Sequence, residues 1–241
     1  MHLNQHNSHL EAPDEKRRYN RWLFGIVSPR YALVNRLLSF NHDTAWKKWL
    51  VDRLAPGSIS RILDIASGNG DIAFRLRKKY PRAGIIAADL TPEMYYPVRT
   101  RAASANLRFA RQDMSFLGVK SSSVDIVTGG YALRNAPDLE KAIMEIRRVL
   151  VPGGYAAFLD FSKPRNRGVA FVEFLLLKSW GSFWGLIFHG RPEIYGYIAE
   201  SLRLFPDRPS LHAMLHRNHF EVILSRRFFF GIIEVIICKA T

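Results

Sequence analysis

The sequence predicts an α/β protein with a mostly parallel β-sheet that is covered by helices on both faces. Apolar runs of strand length alternate with helical patterns from residue 62 to residue 161, and the first run leads through a glycine turn into a helical segment. A carboxylate, Asp89, ends the second run. The length of 241 residues and the apolar content of 48% suit one domain with a sizeable core.

The N-terminal part of the chain is predicted to be a tail followed by a helical cap. Residues 1–18 are polar and lack the apolar stretch of a secretory signal, so we expect a disordered tail followed by a single domain over 19–241. Helical patterns over 19–55 break at Ser28 and Pro29, where Ser28 would cap a second helix. A third helix is expected over 44–54.

The central stretch reads RILDIASGNGD, from Arg61 to Asp71. Its apolar run predicts a buried strand, and Gly68 and Gly70, on either side of Asn69, turn the chain into the next helix. Such a turn leaves helix N–H groups free for a polar ligand, although two glycines can also serve backbone geometry alone. Asp64 lies inside the strand and needs partners, either turn amides or a ligand cation.

A second apolar run, 84–89, places Asp89 and Leu90 at the end of the next strand, roughly 20 residues after the glycines. A carboxylate in this position can accept both hydroxyls of a ribose, which predicts a nucleoside ligand. Dinucleotide dehydrogenases share this pattern, and Ala73 would satisfy their third small position. The cofactor therefore stays open on these residues alone.

The remaining elements continue the alternation and end with an antiparallel edge. The predicted elements are a helix over 92–104, strands over 107–111 and 124–130, a helix over 138–150, a strand over 154–161, and two final strands over 220–229 and 231–239. Asp125 opens a strand and is expected to be structural.

Three blocks carry a specific resemblance: RQDM at 111–114, DIVTGGYALRN at 125–135 and RRVLVPGGYAAFLDFSKP at 147–164. They resemble the class I S-adenosylmethionine-dependent methyltransferases and, within them, the ubiquinone/menaquinone-biosynthesis C-methyltransferase family, over roughly residues 20–215. The resemblance implies S-adenosylmethionine as cofactor. It also implies a Rossmann-like sheet with an antiparallel last strand, an N-terminal helical cap and a helical lid over 165–205.

The resemblance extends the cofactor site beyond the glycine turn. Gln112 and Asp113 align with an adenine-recognising position, although Asp113 could instead cap the next segment, and Met114 would lie on the ring. Gly130 could contribute only its backbone, and Tyr31 would contact the methionine end or simply pack. The full set of expected cofactor-binding residues is Tyr31, Asp64, Gly68, Asn69, Gly70, Asp89, Leu90, Gln112, Asp113, Met114 and Gly130.

The expected catalytic residues are Arg134, Asn135 and Tyr197. Arg134 and Asn135 end the block YALRN, where a guanidinium could favour the ionised form of a phenol and the amide could orient it. Alternatively, Arg134 forms a salt bridge that fixes the loop. Tyr197 and Ser201 belong to a second family-like stretch, YGYIAESLRLFPD, and would share a helix face towards the cleft.

Two places depart from the family pattern. Ala32, Asp43 and Thr44 stand where that pattern has an acid, a histidine and an arginine. The approach to the last strand, Asn-Leu-x-Gly-Gly in the family, is replaced by RRFFFG. The first departure changes the polar network that those three residues would build, and the second bears on the identity of the substrate.

Charge and hydropathy favour a membrane surface as partner. Lys and Arg number 35 against 21 acidic residues, a formal charge of +14, and no nucleic-acid-binding module is recognisable. The most apolar stretch, 168–190, is divided by Glu173, Lys178, Gly181 and Gly185. We interpret it as an amphipathic lid and not a membrane span, with a packed core helix as the alternative.

The function expected from the resemblance is methylation of a hydrophobic ring such as a demethylated prenylquinol. The alternatives are another lipophile (a phospholipid amine, a terpenoid or a polyketide) and a non-methylating protein that retains the fold. No metal is expected, since no ligand spacing is present. The single Cys238 suits a cytoplasmic protein, in peripheral contact with the inner face of a membrane. A homodimer stays open.

Overall fold

The computed structural model describes residues 12–54 and 59–241. The first 11 residues of the expected tail and residue 55, at the end of the expected cap, therefore lie outside the described residues. The described chain forms a seven-stranded sheet in the order β3-β2-β1-β4-β5-β7-β6. Its strands are β1 (Arg61–Ile65), β2 (Gly84–Asp89), β3 (Arg108–Arg111), β4 (Val124–Gly130), β5 (Leu150–Phe161), β6 (Phe220–Phe228) and β7 (Ile233–Ala240).

The strand directions confirm the predicted fold class. Strands β1 to β5 are parallel to one another, and β7 lies antiparallel between β5 and β6. The strand order reverses beside β1, whose neighbours are β2 and β4. In such a sheet, ligands bind at the carboxyl ends of the strands next to this reversal.

Helices cover both faces of the sheet because the strands alternate their apolar side chains between two cores. Leu63, Val127 and Phe158 face one core with Ile146, and Ile62 and its neighbours face the other. The helices are α1 (Pro13–Val27), α2 (Tyr31–Leu38), α3 (Asp43–Asp52), α4 (Asp71–Lys79), α5 (Arg99–Ser104), α6 (Leu139–Val149), α7 (Arg167–His189), α8 (Glu193–Leu204) and α9 (Arg208–Arg217).

A third, smaller core joins the N-terminal helices to the lid region. Leu23 and Val27 of α1 and Val34 of α2 pack against Ile194 and Tyr195 of α8. The helices α7 and α8 lie against each other so closely that a Cβ atom at Gly181 would be 2.4 Å from the carbonyl oxygen of Tyr195. The cap and the lid therefore form one layer above the carboxyl ends of the strands.

The predicted tail is too long, because α1 begins at Pro13 and not at residue 19. Pro13 suits the first turn of a helix, and Asp14 and Glu15 place acidic groups at its positive end. Lys16 and Arg17 then tie this turn to the domain: Lys16 Nζ donates to the Arg134 carbonyl over 3.1 Å and Arg17 Nε donates to Asp113 Oδ2 over 2.5 Å.

Two local predictions near prolines are also wrong. Ser28 makes no side-chain cap: residues Ser28–Arg30 form a 3-10 turn that leads into α2. The helix expected over 92–104 is broken into two 3-10 turns, Pro92–Met94 and Tyr96–Val98, before α5 begins. Pro97 lacks an N–H group and its ring crowds the preceding turn, so an α-helix cannot run through it.

Candidate active site

The glycine turn connects β1 to α4 as predicted, but its two glycines do different work. Gly68 has φ +56° and lines a cavity at the end of the sheet. Gly70 has φ +76° and caps α4, where a Cβ would lie 2.9 Å from the Phe109 ring. Gly70 and Asn69 do not line that cavity, so Gly70 serves the turn and the close packing of helix and strand.

Asp64 is buried and fixes the turn from behind. Its carboxylate accepts hydrogen bonds from Thr128 Oγ1 over 2.6 Å and from Ser67 Oγ over 2.8 Å. Burial raises the pKa of Asp64 to about 6, while these hydrogen bonds and one from the Ala73 amide oppose the rise. Asp64 does not line the cavity, and its partners are hydroxyls and an amide of the protein.

The first cavity, here called the cofactor cavity, holds about 650 Å³ counted to its open mouth. It lies at the carboxyl ends of β1, β2 and β4, where the sheet topology places ligands. Eight predicted cofactor residues line it, namely Tyr31, Gly68, Asp89, Leu90, Gln112, Asp113, Met114 and Gly130.

Asp89 is placed to accept the ribose. Its Oδ2 accepts from the Gly68 amide and its Oδ1 from the Thr91 amide, each over 2.8 Å. A carboxylate oxygen has further lone-pair sites after one such bond, so both oxygens can still accept a hydroxyl. Burial raises the pKa of Asp89 to about 6. The residues present therefore fit an adenosyl group.

On the neighbouring strand exit, the two predicted adenine contacts already have protein partners. Gln112 Oε1 accepts from the Gly118 amide over 2.9 Å. Asp113 Oδ1 accepts from the Ser115 amide over 2.8 Å, and its Oδ2 pairs with Arg17. This arrangement matches the alternative in which Asp113 closes a turn, and it places Arg17 of α1 beside the cavity.

A second cavity, here called the acceptor cleft, holds about 940 Å³ counted to its open mouth. It lies under α7 and α8, and aromatic side chains that include Trp46, Phe161, Trp180 and Phe229 line it. Arg134 is the one charged side chain among the described residues that line it. The cleft therefore suits a large apolar molecule with one group that a cation can stabilise.

The two cavities share a wall. Phe24, Tyr31, Tyr131 and Asn135 line both of them. Two of these residues come from the cap and two from the loop that follows β4. A group at the end of a ligand in the cofactor cavity would therefore meet a molecule in the acceptor cleft beside Tyr31, Tyr131 and Asn135.

Arg134 is buried and held from two sides. Its Nη1 donates to Ser201 Oγ, and its Nε lies 3.8 Å from Asp160 Oδ1 without a hydrogen-bond partner in the described part of the chain. Asp160 instead accepts backbone bonds, at 3.1 Å from the Arg134 amide and at 2.8 Å from the Phe161 amide. Asp160 thus closes the loop, and the guanidinium keeps a donor for a ligand.

Asn135 and Tyr197 meet at one buried hydrogen-bond network. The Tyr197 hydroxyl donates to Asn20 Oδ1 over 2.8 Å and lies 3.0 Å from Asn135 Oδ1. Asn135 Nδ2 in turn donates to the Tyr131 carbonyl over 2.8 Å. The three predicted catalytic residues therefore come together around the acceptor cleft, joined by Asn20 from α1.

Asp43, which differs from the family pattern, belongs to a buried polar network. Lys47 Nζ lies 2.8 Å from Asp43 Oδ2 and 3.2 Å from Asp71 Oδ2, and the Tyr131 hydroxyl donates to Asp43 Oδ1 over 2.8 Å. These two carboxylates raise the pKa of Lys47 although burial opposes it. Tyr131 has φ +57°, a conformation unfavourable for a bulky residue, so this network holds a strained part of the shared wall.

Sequence reasoning missed Lys16, Arg17 and Asn20, which α1 brings to the site. The signal was present as a proline followed by two acidic residues, which is typical of a helix start. Burial and the neighbouring Arg134 lower the pKa of Lys16 to about 8. Within residues 12–54 and 59–241, no three His, Cys, Asp or Glu side chains are grouped so that they could hold a metal ion.

The strand order, with its antiparallel β7, is that of the class I S-adenosylmethionine-dependent methyltransferases. The profile of the ubiE/COQ5 methyltransferase family matches residues 13–239, so the chain belongs to this family. It is therefore an enzyme that takes S-adenosylmethionine as its methyl donor.

Individual relatives agree with this assignment. A protein of Thermus thermophilus named demethylmenaquinone methyltransferase is 36% identical over 83% of this chain and 92% of its own length. The ubiquinone/menaquinone biosynthesis C-methyltransferase UbiE of Dinoroseobacter shibae is 33% identical over 91% of this chain and 89% of its own. A Thermotoga maritima methyltransferase structure matches in fold alone, with a TM-score of 0.65 at 17% identity, over 92% of this chain and 99% of that one.

Proposed function

We propose that the enzyme transfers a methyl group to a ring carbon of a demethylated prenylquinol. The observation that carries the proposal is the shared wall: an apolar cleft with a single cation adjoins the cofactor cavity beside Tyr31, Tyr131 and Asn135. The names of the two relatives, both in quinone biosynthesis, support the same acceptor class. A prenyl tail would occupy the aromatic part of the cleft, and the ring would lie at Arg134.

The chemistry requires an electron-rich ring carbon. S-adenosylmethionine supplies a methyl group whose carbon–sulfur bond breaks as the new carbon–carbon bond forms, and S-adenosylhomocysteine leaves. The phenol would first give its proton to water, and Arg134 would stabilise the negative charge of the resulting phenolate oxygen, which makes the ring carbon nucleophilic. The ring carbon then loses its proton to water and the ring becomes aromatic again.

Asn135 and Tyr197 would position the ring and do not exchange protons with it. Burial raises the pKa of Tyr197, so its hydroxyl stays protonated and keeps donating to the network with Asn20. That network fixes the Asn135 side chain, which lines both cavities. Correct placement of the reacting carbon against the methyl group is worth several kcal/mol in reactions of this kind, roughly 7 or more in the best cases.

The test offers labelled S-adenosylmethionine with demethylated quinols, phospholipids and aromatic acids. The proposal expects label only in the quinol product, at its ring carbon. Label in a phospholipid or in an oxygen-methylated product would replace the quinol with another acceptor. Binding of S-adenosylhomocysteine without any labelled product from the whole panel would contradict methyl transfer to these acceptors. A quinol with one prenyl unit keeps the assay free of vesicles and detergent.

We also propose that the enzyme works in the cytoplasm, at the inner face of the membrane that holds its prenylated acceptor. The formal charge of +14 supports attraction to anionic lipids. A long prenyl tail partitions into lipid, so an enzyme that approaches the bilayer meets more of its acceptor. Cell fractionation at low and high salt tests this location, and release by salt from the membrane fraction is expected.

A further inference from the structure

The outer side of α7 exposes an apolar surface along the whole helix. Phe171, Leu175, Leu176, Phe183, Leu186 and Ile187 are each between 46% and 61% exposed. The 23 residues of α7 extend over about 35 Å. Its one acidic residue, Glu173, is buried, and Lys178 pairs with Glu200 over 2.8 Å. Between Arg167 in its first turn and His189 in its last, the exposed side therefore carries no unpaired charge.

The packing of α7 distinguishes it from a core helix and from a span. Only 17% of the most apolar stretch of α7 is buried inside the protein, so α7 is not a core helix. By length and composition alone it could cross a membrane. Gly181 packs closely on α8, where a Cβ atom would lie 2.4 Å from Tyr195 O, and Gly185 packs on the turn before α8, where a Cβ atom would lie 2.6 Å from Arg191 O. With one side fixed on the domain, only the other can contact lipid, so the helix suits an in-plane position.

Two further phenylalanines continue this surface around the mouth of the acceptor cleft. The Phe40 ring stacks on Trp180 of α7 with centroids 5.1 Å apart, and lies 5.8 Å from Phe229. Trp180 and Phe229 line the acceptor cleft. Phe230 follows Phe229 with ring centroids 5.8 Å apart and is fully exposed. The outer side of α7, Phe40 and Phe230 are together called the apolar face below.

These phenylalanines have backbone conformations that are unfavourable for bulky residues. Phe40, Phe229 and Phe230 have φ values of +49°, +49° and +57°. Left-handed backbone is unfavourable for a bulky residue, and glycine or asparagine would adopt it more readily. The stretch RRFFFG, where the family has Asn-Leu-x-Gly-Gly, thus places aromatic rings at the cleft mouth in this chain.

Cations flank the apolar face. Arg165 and Arg167 are exposed at the start of α7, and Arg191 is exposed just beyond its end. The exposed Arg226 and Arg227 lie four and three residues before the exposed Phe230. Apolar side chains between exposed arginines match a bilayer with anionic head groups, because the rings enter the acyl region while the arginines remain at the phosphates.

We propose that the apolar face docks on an anionic lipid bilayer, with the mouth of the acceptor cleft opening into the membrane interface. This inference rests on the proposed function, because a prenylated acceptor would then enter the cleft without crossing water. A second copy of the chain on the same face would close the cleft mouth, so the bilayer is the occupant that leaves the site usable.

The test measures flotation with vesicles of phosphatidylcholine and phosphatidylglycerol in equal amounts, without acceptor or cofactor. The double variant Leu176→Glu, Ile187→Glu carries two acids on the exposed side of α7. The matched control, Met144→Glu with Ile223→Glu, adds the same charge at side chains of similar exposure, 57% and 48%, on α6 and β6. Calorimetric binding of S-adenosylhomocysteine verifies that both variants are folded.

The face variant should bind these vesicles about tenfold more weakly or worse, and the control should bind within about twofold of the unchanged protein. Phe230→Ser should weaken binding without any change of charge. Equal losses in both double variants would show a general charge effect and overturn the proposal. So would a dimer, detected by light scattering, that only the face variant dissociates. Turnover of the soluble one-prenyl quinol should be unchanged in the face variant, which separates this test from that of the acceptor.

Discussion

Arg134 carries the chemistry of the proposed reaction at the scale of single residues, and a charge-conserving change tests it. Arg134→Lys keeps a cation but loses the planar fork and the bond to Ser201. We expect kcat to fall by roughly 100-fold while the Kd for S-adenosylhomocysteine stays within about twofold. The same change at exposed Arg217 is the control. Unchanged turnover would leave Arg134 with the loop-fixing role only.

We expect Asp89 to make cofactor affinity depend on pH. Burial raises its pKa to about 6, and ribose hydroxyls donate best to the ionised carboxylate, so binding favours loss of the proton. The Kd for S-adenosylhomocysteine should be flat above this pH and rise by up to about tenfold per pH unit below it. Calorimetry between pH 5 and pH 8 measures this dependence. The Asp89→Asn variant should bind S-adenosylhomocysteine weakly, with a Kd that does not change with pH. A steep slope in that variant would assign the proton to another group, such as Asp64.

Two aspartate–lysine pairs on α3 have the same spacing and different burial, which makes them a matched comparison. Asp43 and Lys47 are buried, whereas the side chains of Lys48 and Asp52 are 68% and 53% exposed. Asp43→Asn leaves a buried cation with Asp71 alone, and we expect a loss of about 3 kcal/mol in the free energy of unfolding. Asp52→Asn should cost less than about 1 kcal/mol. Equal urea midpoints for the two variants would contradict the role of the buried network.

The lid helices α7 and α8 are in close backbone contact, and a methyl group added at a glycine between them tests that contact. Gly181→Ala places a Cβ 2.4 Å from Tyr195 O, whereas Gly25→Ala, in α1, meets nothing within 4 Å. Because the backbones of α7 and α8 must separate, Gly181→Ala should lower the free energy of unfolding by about 1–3 kcal/mol. The identical change at Gly25 should be neutral or stabilising. Urea denaturation measures both variants, and a change of the same sign in their free energies of unfolding would contradict the close contact.

Elements with strong periodicity were predictable, and those decided by tertiary contacts were not. The strand β1, the glycine turn and α4 follow from local pattern, because a buried parallel strand is apolar throughout. The first turn of α1 carries a local helix-start signal in Pro13, Asp14 and Glu15, but its place beside the site is not visible in the sequence, since the partners Arg134 and Asp113 lie 118 and 96 residues further along the chain. Pro97 gives a comparable local signal, because a proline inside an expected helix marks a break.

The whole molecule is predictable to the level of sheet topology and cavity position. Alternating strands and helices dictate a parallel sheet, and its carboxyl ends dictate where Gly68 and Asp89 meet. Resemblance located Arg134, Asn135 and Tyr197, which the fold then brings together. The sequence does not show which polar side chains already have partners within the protein, as Gln112 and Asp113 do. A hydrogen-bond partner that is distant in the chain leaves no local pattern.

Half of the wall between the two cavities packs on a helix that comes much later in the chain. Phe24 and Tyr31 belong to helices made first during synthesis, and their packing partners Ile194, Tyr195 and Tyr197 belong to α8, made near the end. The early helices therefore have no complete surface to dock on while the ribosome is still building the sheet. The acceptor cleft takes part of its lining from the lid, so it cannot be complete until the lid has emerged, and a shortened nascent product lacks the acceptor site.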